Sequence, residues 1–385
     1  MIPFEFATAN RIIFGSGALR QAGEIAAGMG TCALVVTGKN TERAAPLCEV
    51  LCEKNISYET FSVCGEPTTD IASQGAQVAR KNGCDLVIGF GGGSPLDTGK
   101  AIAVLLTNGG EPLDYLEVIG KGQPITKAAA PYLAIPTTAG TGTEVTRNAV
   151  LKSLEHKVKV SMRSPLLLPK VALIDPELTY SLPPAVTAST GLDAFTQVLE
   201  PYVSHKASPM TDAICREGIA RAARSLQRAY EYSDDTASRE DMCIASLFGG
   251  LALANAGLGA VHGFAGPAGG MFPVPHGVVC ARLLPFVMER NVCALQERQP
   301  DSPALARYDE IAQILTGNPS ATSSDGVTWI QELCNALQIS PLSTYGMTPD
   351  DIPALVEKAT RASSMKGNPL VLTNDELTEI VRLAL

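Results

Sequence analysis

The stretch Asp85–Ala103, DLVIGFGGGSPLDTGKAIA, decides how the first half of this chain folds. Asp85 to Phe90 is a short apolar run without polar alternation, as expected of a strand buried on both faces. Gly91-Gly92-Gly93-Ser94-Pro95-Leu96-Asp97 then forms a turn, and a helix is expected over Thr98–Leu106. A Gly-rich turn between a buried strand and a helix N-terminus gathers backbone N–H groups able to bind a pyrophosphate. The turn is neither GxGxxG nor a Walker loop, which would need GK[ST]. A tight βα turn with no ligand is the alternative; three successive glycines followed by Ser and Asp weigh towards phosphate.

The same rhythm extends to both sides. Upstream, an edge strand or hairpin is expected in the first 18 residues, then a helix over Arg20–Met29. A buried strand follows at Cys32–Thr37, a helix at Glu42–Asn55, a strand at Ser57–Val63 and a helix at Asp70–Asn82. Downstream, strands are expected at Tyr132–Ile135 and Val171–Ile174. Strands alternating with helices imply a doubly wound parallel sheet. Its ligand would lie at the carboxyl ends of the strands, where PTTAGTGTEVT (Pro136–Thr146) offers a second loop of small and hydroxyl-bearing residues. After Pro183 no convincing strand appears. Helices are expected at Pro184–Ser204, Ser208–Glu231, Arg239–Gly257, Pro303–Leu315, Gly326–Leu337, Pro349–Ala362 and Asn374–Leu383. The chain therefore divides into an α/β dinucleotide-binding domain, 1–180, and an all-α domain, 181–385, in keeping with its 385 residues.

Bulk composition excludes several classes. A net charge of −9 argues against nucleic acid or an anionic membrane as partner. The ten cysteines contain no CxxC pair, which fits reduced thiols in a cytoplasmic protein better than a disulfide framework or zinc ribbon. No basic segment followed by an apolar core opens the sequence, so no signal peptide is expected. The uncharged run Ile244–Ala281 is long enough for a membrane span, but its Asn, His, prolines and glycines point to a buried helix followed by turns.

Two of the four histidines, His262 and His276, bracket AVHGFAGPAGGMFPVPHG (Ala260–Gly277) within that uncharged region. Asp193 and Gln197 are four apart and so share one helix face. Asp193, His262 and His276, with Gln197 as an optional neutral oxygen, would make a sound Fe(II) or Zn site with an open position. Sequence separation cannot establish that they converge, and satisfied core residues are the alternative.

With these motifs in hand, the chain resembles the iron-containing (group III) alcohol dehydrogenase family, which includes lactaldehyde and butanol dehydrogenases. The similarity rests on Asp85–Ala103, on PTTAGTGTEVT with Asn148, on LPKVALIDPELT (Leu168–Thr179), on TGLDAFTQVLEPYVS, on HGFAGPAGGMFPVPHG and on KGNP (Lys366–Pro369). It implies a Rossmann-like N-terminal domain, a helical C-terminal domain and NAD(P)-dependent interconversion of a small alcohol with its aldehyde or ketone. By position it implies that Gly92, Gly93, Ser94 and Asp97 hold the pyrophosphate. Thr137, Thr138 and Thr141 would hold the rest of the cofactor, with Asn148 and Lys159 nearby. Asp193, His262 and His276 would be the metal ligands and the centre of catalysis, the metal acting as a Lewis acid. A homodimer or higher homo-oligomer is also implied.

Two positions depart from the family pattern. The usual His four residues after the Asp is Gln197, a weaker ligand, so weak metal binding is expected. A further His, near the nicotinamide, is Gly266, which removes a proton relay and enlarges the pocket. Relatives of the maleylacetate reductase kind leave a metal-independent keto-acid reductase open, with His262 or His276 as general acid. A non-redox protein of the dehydroquinate synthase kind, or a nucleotide-binding protein without catalysis, stays as a further alternative. At the end of the first buried strand stands Gly38-Lys39-Asn40, without the acid that would bond a ribose 2′-OH, which leans towards NADP with NAD tolerated.

Overall fold

The computed structural model describes residues 3–156 and 158–385. The first compact unit is Ala7–Thr138 with Gly142–Tyr180. Its strands are β1 (Ile12–Phe14), β2 (Cys32–Thr37), β3 (Ser57–Ser62), β4 (Leu86–Gly91), β5 (Tyr132–Pro136), β6 (Asn148–Ser153), β7 (Val158–Arg163) and β8 (Val171–Ile174). Its helices are α1 (Ala22–Ala27), α2 (Ala45–Glu53), α3 (Thr69–Lys81), α4 (Gly93–Asn108) and the single turn α5 (Pro112–Tyr115). Six strands form one sheet in the order β1-β8-β5-β4-β2-β3, every pairing parallel. β1 lies at the edge as expected, although it pairs in parallel with β8 rather than forming a hairpin.

The unbroken apolar run of β2 has a direct cause. Ala33 and Val35 point into one core with α1 and α2, while Leu34 and Val36 point into the other with α3 and α4. Both faces of the strand are covered, so neither face can be polar. Between β2 and β4 the order of connections reverses, which opens a crevice at the carboxyl ends of these strands.

Two elements differ from expectation. Helix α4 begins at Gly93 rather than Thr98, so Ser94 and Pro95 form its first turn. Proline is tolerated there because the N–H it lacks would have no intrahelical partner. An antiparallel hairpin, β6–β7, also lies between β5 and β8. It was hidden in the sequence because its half-buried strands, NAVLKS and VKVSMR, mix apolar with polar and charged residues rather than forming an apolar run.

The second unit is Ser181–Leu385 together with short pieces of chain that include Ala139–Thr141. It consists of α6 (Pro184–Val203), α7 (Pro209–Glu231), α8 (Thr236–Ala256), α9 (Ala260–Met271), α10 (His276–Arg298), α11 (Pro303–Thr316), α12 (Ser323–Ala336), α13 (Ile352–Thr360) and α14 (Asn374–Ala384). The segment expected to be turns after the buried helix is instead mostly helical. α9 runs through Pro267, and α10 starts at His276 and continues for 23 residues. Burial of their apolar faces outweighs the local preference of Gly and Pro. Among the described residues no single helix is long and apolar enough to cross a membrane, and the uncharged run is bent by 100° between α8 and α9.

Candidate functional site

In the α/β unit, the turn after β4 and the loop after β5 approach each other. The Thr137 N–H donates to the Gly91 carbonyl at 2.9 Å. A Cβ on Gly92 would stand 3.3 Å from Thr138 Oγ1, so a side chain there would fill the space between the two loops. Gly93 and Ser94 present the free N–H groups of the first turn of a 16-residue helix, a cradle for an anion. Gly38 ends β2, and a Cβ there would lie 4.0 Å from Pro95 Cγ; it therefore borders the same turn. Lys39 is exposed.

Two residues expected beside the cofactor have other work. Asp97 is buried and accepts from the Thr143 hydroxyl at 2.5 Å and from the Val150 N–H at 3.2 Å. Its carboxylate therefore braces the second loop, and burial pushes its pKa up despite Lys100 nearby. Lys159, on β7, pairs with Glu66 at 2.8 Å.

The brace has a centre that sequence reading missed. Lys100, fully buried on α4, donates to the Thr143 carbonyl. It also reaches Thr143 Oγ1 and Thr146 Oγ1 at 2.9 Å, the Thr146 carbonyl at 3.0 Å and the Asn148 carbonyl at 2.9 Å. Asn148 begins β6, so one ammonium ties the loop's end to the hairpin. Burial pulls the Lys100 pKa down to about 8 and pushes Glu144 up to about 7. The signal available in the sequence was a lysine amid the small residues of a buried helix.

In the helical unit, α6, α9 and α10 bring Asp193, His262 and His276 together. Asp193 Oδ1 lies 3.2 Å from His262 Nε2 and 3.8 Å from His276 Nε2, and the two rings are 5.6 Å apart. A fourth donor, Cys280, stands one turn after His276; one ligand atom from each of the four residues falls within 4.8 Å of the others. Gln197 shares the α6 face as expected. Its Oε1 is buried without a hydrogen-bond partner among the described residues, and it lies 3.2 Å from the position of a Cβ on Gly249 of α8. At Gly266 an added Cβ would meet nothing within 4 Å, in line with the open space expected there.

His262 is held from behind. Glu200, two turns along α6 from Asp193, places Oε2 2.7 Å from His262 Nδ1, and its Oε1 accepts from the Val261 N–H at 2.7 Å. The Ala260 N–H donates to Asn368 Oδ1 at 3.1 Å, so the KGNP segment caps the same helix end. Glycine is needed just before this end, because a Cβ on Gly259 would fall 2.8 Å from Glu200 Oε1. A carboxylate on Nδ1 keeps a proton on that nitrogen, which leaves Nε2, facing Asp193 and Cys280, as the nitrogen open to a cation.

Charge in the cluster is unusual. Burial alone would raise the Asp193 pKa, but His276 and His262 outweigh it and hold it low. Burial alone would lower that of His262, yet its anionic neighbours hold it well above the ordinary value. At neutral pH those neighbours are the carboxylates, since burial pushes the Cys280 thiol up to about 12. Two buried carboxylates facing imidazoles, with a thiol beside them, form a donor set suited to a divalent cation.

A doubly wound sheet with an anion-binding turn, followed by a helical unit carrying this donor cluster, defines a class of oxidoreductases. Known proteins give the family. The chain matches the profile "Iron-containing alcohol dehydrogenase" over residues 9–176 and "Fe-containing alcohol dehydrogenase family, C-terminal" over residues 187–385. It belongs to the iron-containing alcohol dehydrogenase family, and is an oxidoreductase of the alcohol dehydrogenase type. Choline dehydrogenase of Bacillus subtilis (strain 168) is 35% identical, covering 92% of this chain and 88% of its own. A crystal structure of 1,3-propanediol oxidoreductase superimposes with a TM-score of 0.92 at 33% identity, covering 100% of both chains. Sulfoacetaldehyde reductase from Bifidobacterium kashiwanohense, solved in complex with NAD+, gives 0.88 at 28% identity, covering 100% of this chain and 99% of its own.

Proposed function

We propose that this chain interconverts a small alcohol and its aldehyde or ketone with a nicotinamide dinucleotide, and that Asp193, His262 and His276 hold a divalent cation, Fe(II) or Zn. The reaction balances as alcohol plus NAD(P)+ giving carbonyl compound, NAD(P)H and a proton. The observation that carries the proposal is the buried, carboxylate-backed convergence of these donors. When bound, such a cation supplies Lewis-acid polarisation of the substrate oxygen.

The protein's own groups do the rest. Glu200 orients His262 and keeps its Nε2 available, and Asp193 contributes charge that offsets a cation. The His276 side chain is 37% exposed, against 6% for His262 and 2% for Asp193, so it is the donor open to an incoming molecule. The Gly92, Gly93 and Ser94 amides serve the pyrophosphate. Thr137, Thr138, Thr141 and Asn148 serve the remainder of the dinucleotide. With Gly38 and Lys39 at the end of β2, no acid opposes a 2′-phosphate, so NADPH is favoured and NADH accepted. The NAD+ complex of the sulfoacetaldehyde reductase supports that tolerance.

The test is a panel of alcohols, aldehydes and keto acids assayed with NADH and NADPH, with added Fe(II) or Zn and after chelation. Activity should vanish on chelation and in Asp193→Ala. Undiminished turnover in metal-free protein would overturn the reading in favour of metal-independent keto-acid reduction, with His262 or His276 as general acid.

A further inference from the structure

Cys280 is a buried cysteine that the proposed reaction does not use. It stands four residues after His276 on α10, so both side chains leave the same helix face. Its Sγ lies 3.7 Å from His262 Nε2 and 3.7 Å from His276 Nε2. The equal distances to both nitrogens fit three donors set around one centre. A tetrahedral ion with metal–nitrogen bonds near 2.05 Å and a metal–sulfur bond near 2.3 Å sets nitrogen–sulfur edges of about 3.6 Å. The corresponding nitrogen–oxygen edge is about 3.4 Å, and Asp193 Oδ1 is 3.2 and 3.8 Å from the two imidazole nitrogens. These four edges match the size of a zinc site, and all four donor atoms lie within 4.8 Å of one another.

We propose that Cys280 is a metal ligand, completing an Asp-His-His-Cys set, and that it makes the site selective for zinc over Fe(II). The proposal rests on the preceding reading that the cluster holds a divalent cation. Thiolate is a soft donor that favours zinc, whereas oxygen donors favour harder ions. A divalent cation deprotonates a coordinating thiol outright, so Cys280 and Asp193 together match its charge in a buried place. Catalytic zinc sites can expand to five ligands, so a fourth protein donor does not close the site to substrate.

The test uses the full chain, stripped by chelation and reloaded with zinc or with cobalt(II). Zinc-edge X-ray absorption of the wild type should show one sulfur at about 2.3 Å. That scatterer should be absent from Cys280→Ala and retained in Cys293→Ser, a cysteine further along the same helix. The cobalt(II) form should show a near-ultraviolet thiolate-to-metal charge-transfer band that disappears in the same variant. Zinc affinity in Cys280→Ala should fall by at least the roughly 10–100-fold that loss of a supporting hydrogen bond costs, and Fe(II) affinity by less. A wild-type protein that binds one zinc with no sulfur neighbour overturns the proposal and leaves the divalent-cation reading standing. Failure to bind zinc, cobalt(II) or Fe(II) at all overturns both. Because the sulfur is read in the wild type, poor folding of the variant does not blunt the test.

Discussion

Replacing Glu200 with Gln tests whether the carboxylate behind His262 sets the character of the whole cluster. Glu200 uses its two oxygens as two acceptors, one for the Val261 N–H and one for His262 Nδ1, each at 2.7 Å. Gln keeps the shape but has one acceptor and one donor. If its oxygen stays on the Val261 N–H, its amide nitrogen faces Nδ1, which must then accept. The one remaining imidazole proton then sits on Nε2, the nitrogen 3.2 Å from Asp193 Oδ1. That arrangement satisfies every buried group in the absence of metal but withdraws the lone pair a cation needs. The loss should follow that of other carboxylates supporting a histidine ligand, about 10–100-fold in metal affinity, or about 1.4–2.7 kcal/mol. The stripped variant should melt no lower than the stripped wild type, since no buried acceptor or donor is left unpaired. Calorimetric titration of both stripped proteins with zinc, beside their thermal melts, measures the two effects separately. Equal zinc affinity in Glu200→Gln and wild type would refute the reasoning; so would a large fall in the melting temperature of the stripped variant.

Other substitutions probe the scaffold. Lys100→Met removes the cation beside buried Asp97 and strands several carbonyl and hydroxyl acceptors. It should cost about 3–5 kcal/mol in denaturant unfolding, and a loss below 1 kcal/mol, the value of about one ordinary hydrogen bond, would count against the brace. Burial raises the Glu144 pKa from 4.5 to about 7, so the folded chain holds this proton more tightly than the unfolded one. Its contribution to stability is full below pH 4.5 and fades as pH rises towards 7. Glu144→Gln should therefore flatten the stability profile over that window in urea melts, and an unchanged slope would contradict it. Gly266 lies inside α9 with open space where a Cβ would go. Gly266→Ala should stabilise by about 0.5–1 kcal/mol, while Gly259→Ala, aimed at the Glu200 carboxylate, should destabilise; denaturation curves of the pair distinguish the two.

The sequence by itself determined the α/β-then-helical order and the strands of the parallel core, because a strand buried on both faces must be apolar throughout, as Leu86–Gly91 is. It also offered the donors of the proposed site, since the uncharged region holds His262 and His276 and the first helix after the α/β part carries Asp193. It did not reveal α10 or the start of α4, where Gly and Pro suggest turns until buried contacts override them. Nor did it give the hidden partners. Asp97 and Lys159 carry charges that a cofactor could meet; only the fold shows that they also engage Thr143, Val150 and Glu66. Cys280 was one of ten unremarkable cysteines and Glu200 one of many acids on a helix. Periodicity records which face of an element is buried, whereas hydrogen bonds between residues 62 apart, as between Glu200 and His262, depend on how the helices cross. The tertiary structure alone brought a thiol and a second carboxylate to this cluster.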